Sequence, residues 1–186
     1  MDVRNPESLP PNLPVPVDDG TAAHLPGMAL PHIALPSTAG GTVDLASIAG
    51  TVVVYAYPRN EQPGAGPLVA DWDTIPGARG CTPHNRGYLA AYSEFAALGV
   101  AVYGLSTQDT AYQRELAERL GLPFPILSDA KLELTRALRL PTHQLGDITL
   151  LKRLAWIARD GVIERVFYPV FPPDRNAAEV LAALKG

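Results

Sequence analysis

The chain has one cysteine, Cys81, in the run Ile75-Pro-Gly-Ala-Arg-Gly-Cys-Thr-Pro-His84, where a glycine- and proline-rich loop gives way to helical spacing. At such a junction, unpaired backbone N–H groups and the positive end of the helix dipole point towards the sulfur. A free thiol ionises near pH 8.5, and helix starts and cationic neighbours favour the thiolate, the form that attacks electrophiles. Free cysteines are also common as inert core residues. A core position rarely falls between a glycine and Thr-Pro behind a Gly/Pro loop, so Cys81 reads as a functional thiol. His84 stands three residues on, the spacing of a Cys-x-x-Cys pair with the second thiol replaced. Its imidazole could stabilise a thiolate or help ligate a metal. Two ligands do not make a site, and His24, His32 and His143 are scattered without metal-binding spacing. The expectation is a partly exposed helix histidine, with no metal and no cofactor.

The elements around this thiol follow from periodicity. Eight of the 19 prolines lie in the first 36 residues, which disfavours helix and central strand there, so residues 1–25 read as an extended arm ahead of one domain over 26–186. A short hairpin turns at Gly40-Gly41. Residues 51–57, TVVVYAY, are β-branched and aromatic on both faces, as in a covered central strand ending at Pro58. Residues 59–80 have no period and read as a long functional loop. A helix from Thr82 carries Tyr88, Leu89, Tyr92, Phe95 and Ala96 on its apolar face and stops at Gly99. Strand 100–106, helix 109–120 with Tyr112, Leu116 and Leu120 inward, strand 124–127 and helix 130–139 follow. Residues 140–148 read as a second loop. Strands 153–158 and 162–168 pair across Arg159-Asp160-Gly161, and a helix over 174–185 starts with Asp174 as N-cap. Tyr55, Tyr57, Tyr88, Tyr92 and Tyr103 fall at core spacing. This order describes an α/β mixed sheet with helices on both faces.

Composition excludes several function classes. The chain has 186 residues, 47% hydrophobic and 18% charged, enough for one well-buried domain. With 15 Lys+Arg against 19 Asp+Glu the net charge is −4, and no basic run could neutralise a series of phosphates, so nucleic acid is not expected as a partner. One cysteine cannot form an internal disulfide or a cysteine-rich metal site. No stretch approaches the roughly 18 apolar residues of a spanning helix, and the proline-broken N-terminus lacks a signal-like apolar core. The expectation is a cytoplasmic protein with no membrane association. Walker A, Gly-x-Gly-x-x-Gly and His-Glu-x-x-His motifs are absent.

Over roughly residues 26–185 the chain resembles the peroxiredoxins, thioredoxin-fold thiol peroxidases. The resemblance rests on MALPHIALPSTAGGTVDLASIAGTVVVYAYPR, Gly80-Cys81-Thr82, GVAVYGLSTQD, GLPFPILSDA and KRLAWIARDG, in that order. The front half is similar to the bacterioferritin-comigratory-protein branch, the Arg153 strand to the type-five branch. The resemblance implies a thioredoxin-like sheet and a peroxidatic role for Cys81, which attacks the peroxide O–O bond to give a sulfenic acid. It further implies that Arg153 is the active-site arginine, whose fork of donors holds thiolate and peroxide oxygens. An unremarkable surface arginine paired with an acid is the alternative. Pro58 matches the motif proline by context, followed by a long insertion.

The chain departs from the family pattern twice. The motif threonine three residues before the cysteine is Ala78 here, leaving Thr74 and Thr82 as candidate hydroxyls; Thr82 could equally cap its helix. Arg86 stands five residues after Cys81, where a resolving thiol is often found in the bacterioferritin-comigratory branch, and reads as a solvated or interface residue. The chain therefore reads as a one-cysteine enzyme whose partners are a peroxide (hydrogen peroxide or an organic hydroperoxide) and an external reductant of thioredoxin, glutaredoxin or glutathione type. A homodimer is left open, with Phe167, Tyr168 and Phe171 as an apolar patch for it. Trp72 could cover the peroxide pocket or anchor the loop. Two alternatives stand beside the peroxidase: a thioredoxin-fold redox sensor or binding protein, and a monothiol disulfide oxidoreductase.

Overall fold

The computed structural model describes residues 5–186. Its frame is a five-stranded sheet in the order β5-β4-β3-β8-β9. The central strand β3 (Thr51–Ala56) is parallel to β4 (Ala101–Ser106), which is parallel to β5 (Ile126–Ser128). On its other side β3 is antiparallel to β8 (Leu154–Arg159), which continues antiparallel into β9 (Val162–Phe167). Five of the six residues of β3 are buried, as expected of a run covered on both faces. The β8–β9 turn places Asp160 and Gly161 both at positive φ, 47° and 80°, the geometry that favours Asp-Gly. Asp160 Oδ1 also accepts the Gly50 N–H at 2.6 Å, tying this turn to the start of β3.

The odd and even positions of β3 feed two different cores. Val53 and Tyr55, with Tyr57 just past the strand, face α1 (Cys81–Ala97), the Leu116 side of α2 (Thr110–Leu120) and α4 (Asn176–Lys185). Val52, Val54 and Ala56 face α3 (Glu133–Leu138), the segment around Leu25 and Leu30, and the hairpin of β1 (Ala34–Pro36) with β2 (Thr42–Asp44). The arm lies against this domain. Asp19 receives the Lys152 ammonium at 2.7 Å and the Tyr168 hydroxyl at 2.9 Å.

Several local expectations are corrected. Residues 140–148 are not a loop: β6 (Thr142–Leu145) pairs with β7 (Ile148–Leu151) around Gly146-Asp147, with Gly146 at φ 59° where a two-residue turn needs a positive φ. Asp174 caps nothing with its side chain; a 3₁₀ turn over Pro173–Arg175 precedes α4, and the backbone enters from Arg175. The helix expected over 130–139 spans only Glu133–Leu138, and the strand at 124–127 begins at Ile126. In α1, Tyr88 and Phe95 are buried but Ala96 is exposed, because the helix turns its inner face to Cys81, His84 and Asn85.

Candidate active site

Cys81 is the first residue of α1, and Gly80 before it adopts φ 102°. That backbone region favours glycine, and space demands it as well: a Cβ at position 80 would lie 2.6 Å from Pro173 Cγ and 2.7 Å from Leu9 Cδ2. The Cys81 side chain is buried, 4% exposed, and lines a pocket of about 10 Å³ together with Pro6, Arg59, Glu61, Trp72, Arg79, Gly80 and Thr82. That is room for about one water molecule.

Arg153 reaches the same sulfur from the residue just before β8. Its Nη2 lies 3.2 Å from Cys81 Sγ and equally close to the carbonyl oxygens of Ala78 and Arg79. The arginine is 2% exposed, so its charge acts at short range in a poorly solvated site. The register explains the meeting: Leu154 pairs with Ala56, so β8 begins at the sheet end where β3 exits towards the cysteine loop.

His84 is corrected from partly exposed to fully buried. Arg153 Nη1 donates to its Nδ1 at 3.0 Å, and its Nε2 lies 3.0 Å from Asn176 Oδ1. Burial foremost, then the Arg153 charge, hold its pKa well below the usual histidine value, so the ring is neutral. Arginine can only donate. Nδ1 is therefore the acceptor, and Nε2–H donates to Asn176, which also receives the Tyr88 hydroxyl at 2.7 Å. Behind Cys81, Asn85 Nδ2 donates to the Cys81 carbonyl at 2.8 Å and its Oδ1 receives the Tyr55 hydroxyl at 2.7 Å. Among the described residues no three metal-ligating side chains gather. His24 Nε2 lies against the Leu138 carbonyl and His32 against Asp44.

Of the two candidate hydroxyls, only Thr82 lines the cysteine pocket. Thr74 is exposed, in the 3₁₀ turn Trp72–Thr74, and donates to the Asp71 carbonyl at 2.7 Å. Pro58 is buried just past β3, outside the residues that line the pocket. Trp72 lines the small pocket beside Cys81 and packs with Ala78 and Leu150. The sequence reading missed Asn176, Tyr57 and Arg79. Tyr57 shares the buried cluster of Cys81, its phenol pushed up mainly by burial. Arg79 is buried in the pocket wall, 3.6 Å from Asp73 and 3.9 Å from Glu61. Asn176 carries no spacing signal, because His84 and Tyr88 come from a distant segment; Tyr57 reads only as core, and Arg79, two residues before Cys81, has no pattern that marks its burial.

A family model, Redoxin, matches residues 25–184. The chain belongs to the Redoxin family. Within it, the sequence is similar to the chloroplastic peroxiredoxin Q of Oryza sativa subsp. japonica, 29% identical over 161 residues, covering 86% of this chain and 66% of that protein. The chloroplastic peroxiredoxin Q of Populus jackii is 28% identical over the same length, with 67% of that protein covered. This Redoxin-family chain thus spans about two thirds of the length of these relatives. Two solved structures share its fold: peroxidoxin BcpB of Mycobacterium tuberculosis (TM-score 0.69, 24% identity, 86% of this chain and 96% of that one) and peroxiredoxin Q of Xanthomonas campestris (TM-score 0.66, 21% identity, 93% and 96%). The architecture is the thioredoxin-like, peroxiredoxin type of mixed sheet.

Proposed function

We propose that this protein is a thiol-dependent peroxidase acting on hydrogen peroxide or organic hydroperoxides through Cys81. The Cys81 thiolate attacks the terminal oxygen of the peroxide; the O–O bond breaks, the sulfur keeps OH as a sulfenic acid, and RO⁻ leaves. The observation that carries this reading is Arg153 Nη2 at 3.2 Å from Sγ. A guanidinium there stabilises the nucleophile and the negative charge that develops on the departing oxygen. The similarity to proteins named peroxiredoxin Q supports the same reading. Cys81 is the sole cysteine, so an external thiol must reduce the sulfenic acid. We further infer a reducing, cytoplasmic setting, where such thiols are kept available.

Stopped-flow mixing of the reduced protein with one equivalent of peroxide tests the proposal. The expected result is oxidation much faster than that of a free thiol, abolished by Cys81→Ser. A rate equal to that of free cysteine sinks it and favours a redox sensor. Faster reaction with disulfides than with peroxide favours a monothiol oxidoreductase.

A further inference from the structure

The N-terminal arm lines the cysteine pocket with Pro6 and, at the next residue, makes charged contacts to two helices through one carboxylate. Glu7 Oε2 receives Arg86 Nε at 2.6 Å and Arg86 Nη2, while Oε1 receives Arg119 Nη1 at 2.8 Å. Arg86 belongs to α1 and Arg119 to the last turn of α2. Two cations from separate helices thus converge on one acid brought from far along the chain. Pro6, the neighbouring residue, lines the Cys81 pocket. On either side of it, the Asn5 and Ser8 carbonyls accept hydrogen bonds from Arg79 Nη2. Arg79 Nε finds no hydrogen-bond partner among the described residues.

We propose that Arg86 and Arg119 form the carboxylate-docking half of a binding site for a small anionic peptide thiol, and that Glu7 occupies it when the arm is closed. This rests on the peroxidase reading and names the class of its reductant. The arm has the layout such a ligand needs: a carboxylate held by the arginines and, on the adjoining residue, a group that lines the pocket. A peptide whose cysteine is followed by a C-terminal residue, as in glutathione, likewise carries its thiol and a carboxylate on adjoining residues. With the arm down, a pocket the size of one water cannot admit it. The Glu7–Arg86 pair is exchangeable, because Arg86 is half-exposed and such ion pairs hold weakly in water. Beyond the docking segment, Asp19 on Lys152 keeps the arm attached. In the step itself, the ligand's sulfur attacks the sulfenic sulfur, forming a mixed disulfide and releasing water. A second thiol then attacks the ligand's sulfur, releasing the disulfide of the ligand and reduced Cys81.

The full-length protein is titrated with S-methylglutathione, which has both carboxylates and no reactive thiol, while amide chemical shifts are followed. Saturable shifts at Glu7, Arg86 and Arg119 are expected, and their absence overturns the proposal. Separately, reduction of the Cys81 sulfenic acid by glutathione is compared with that by glutathione diethyl ester, which keeps the thiol but caps the carboxylates. Glutathione is expected to react about tenfold faster or more. Arg86→Met with Arg119→Met is expected to bring the ratio towards one, and Glu7→Gln to raise the glutathione rate several-fold. A ratio identical in the native and double-variant proteins overturns the proposal. If the double variant does not fold, Glu7→Gln and the titration decide. Failure of peroxide to oxidise Cys81 would remove the peroxidase reading and leave the titration to judge the docking site.

Discussion

One guanidinium joins His84 to Cys81: Arg153 places Nη1 3.0 Å from His84 Nδ1 and Nη2 3.2 Å from Cys81 Sγ. The imidazole is thereby a positioning group for the arginine. It must stay neutral to accept the Nη1 hydrogen, and Asn176 fixes its tautomer by accepting from Nε2. A protonated ring would set two cations together and lose the acceptor.

His84→Phe keeps an aromatic ring and removes both hydrogen bonds. It is expected to slow peroxide oxidation of Cys81 about tenfold, with His84→Gln recovering part of the loss. Arg153→Met removes the charge-assisted contact itself, worth about 1.5–3 kcal/mol, and is expected to slow the step by about ten- to a hundredfold. Stopped-flow rates for the variants check this order. A larger loss in His84→Phe than in Arg153→Met would contradict it.

Acid is expected to destabilise the fold from pH 6.5 downward. The folded-state pKa of His84 lies well below the unfolded value of 6.5, and that of His143 is lowered to about 4, in both cases chiefly by burial. Below pH 6.5 the unfolded chain therefore binds protons that the native protein does not, and stability falls with pH by up to about 1.4 kcal/mol per unit for buried His84. His143 is only half-buried and contributes less. Asp19, held low first by Lys152, and Asp44, held low first by His32, add loss only as pH drops below 3.8. Thermal midpoints between pH 7.5 and 5 should decline, and more gently in His84→Phe.

Restoring the motif hydroxyl by Ala78→Thr is not expected to raise the peroxide rate. Ala78 is fully buried against Trp72 and Leu150, so the larger, polar side chain meets an apolar wall. Overpacking there costs about 1–3 kcal/mol. Denaturant midpoints and peroxide rates measured together test this; a stable variant with faster oxidation would refute it.

Gly80→Ala is expected to lower stability and displace the arm, because its Cβ would meet Pro173 and Leu9 and its φ disfavours any L side chain. Limited proteolysis of the arm gives the readout. Unchanged cleavage and an unchanged melting temperature would count against the close approach.

What the sequence made legible was local. TVVVYAY reads as a covered strand because its type and length leave no other element, and Asp160-Gly161 announces its turn. Cys81 stands out through its neighbours in the chain. His84 does not, because its burial depends on Arg153 and Asn176, which a helical period cannot reveal. The β6–β7 hairpin was hidden for a related reason: its turn is Gly-Asp in place of the familiar Asp-Gly, and only its pairing partner makes THQL a strand. The arm's course over the thiol rests on arginines supplied by three different segments, and no spacing within the arm encodes it.

The pairing of Leu154 with Ala56 also has a temporal side. Arg153 cannot stand beside Cys81 until the late strand β8 has emerged from the ribosome and docked on β3, a non-local closure that forms slowly. Throughout synthesis of the first four fifths or so of the chain, the cysteine is thus made without its guanidinium partner. Activation of the thiol coincides with completion of the central sheet, so reactivity towards peroxide becomes a clock for the last major step of folding.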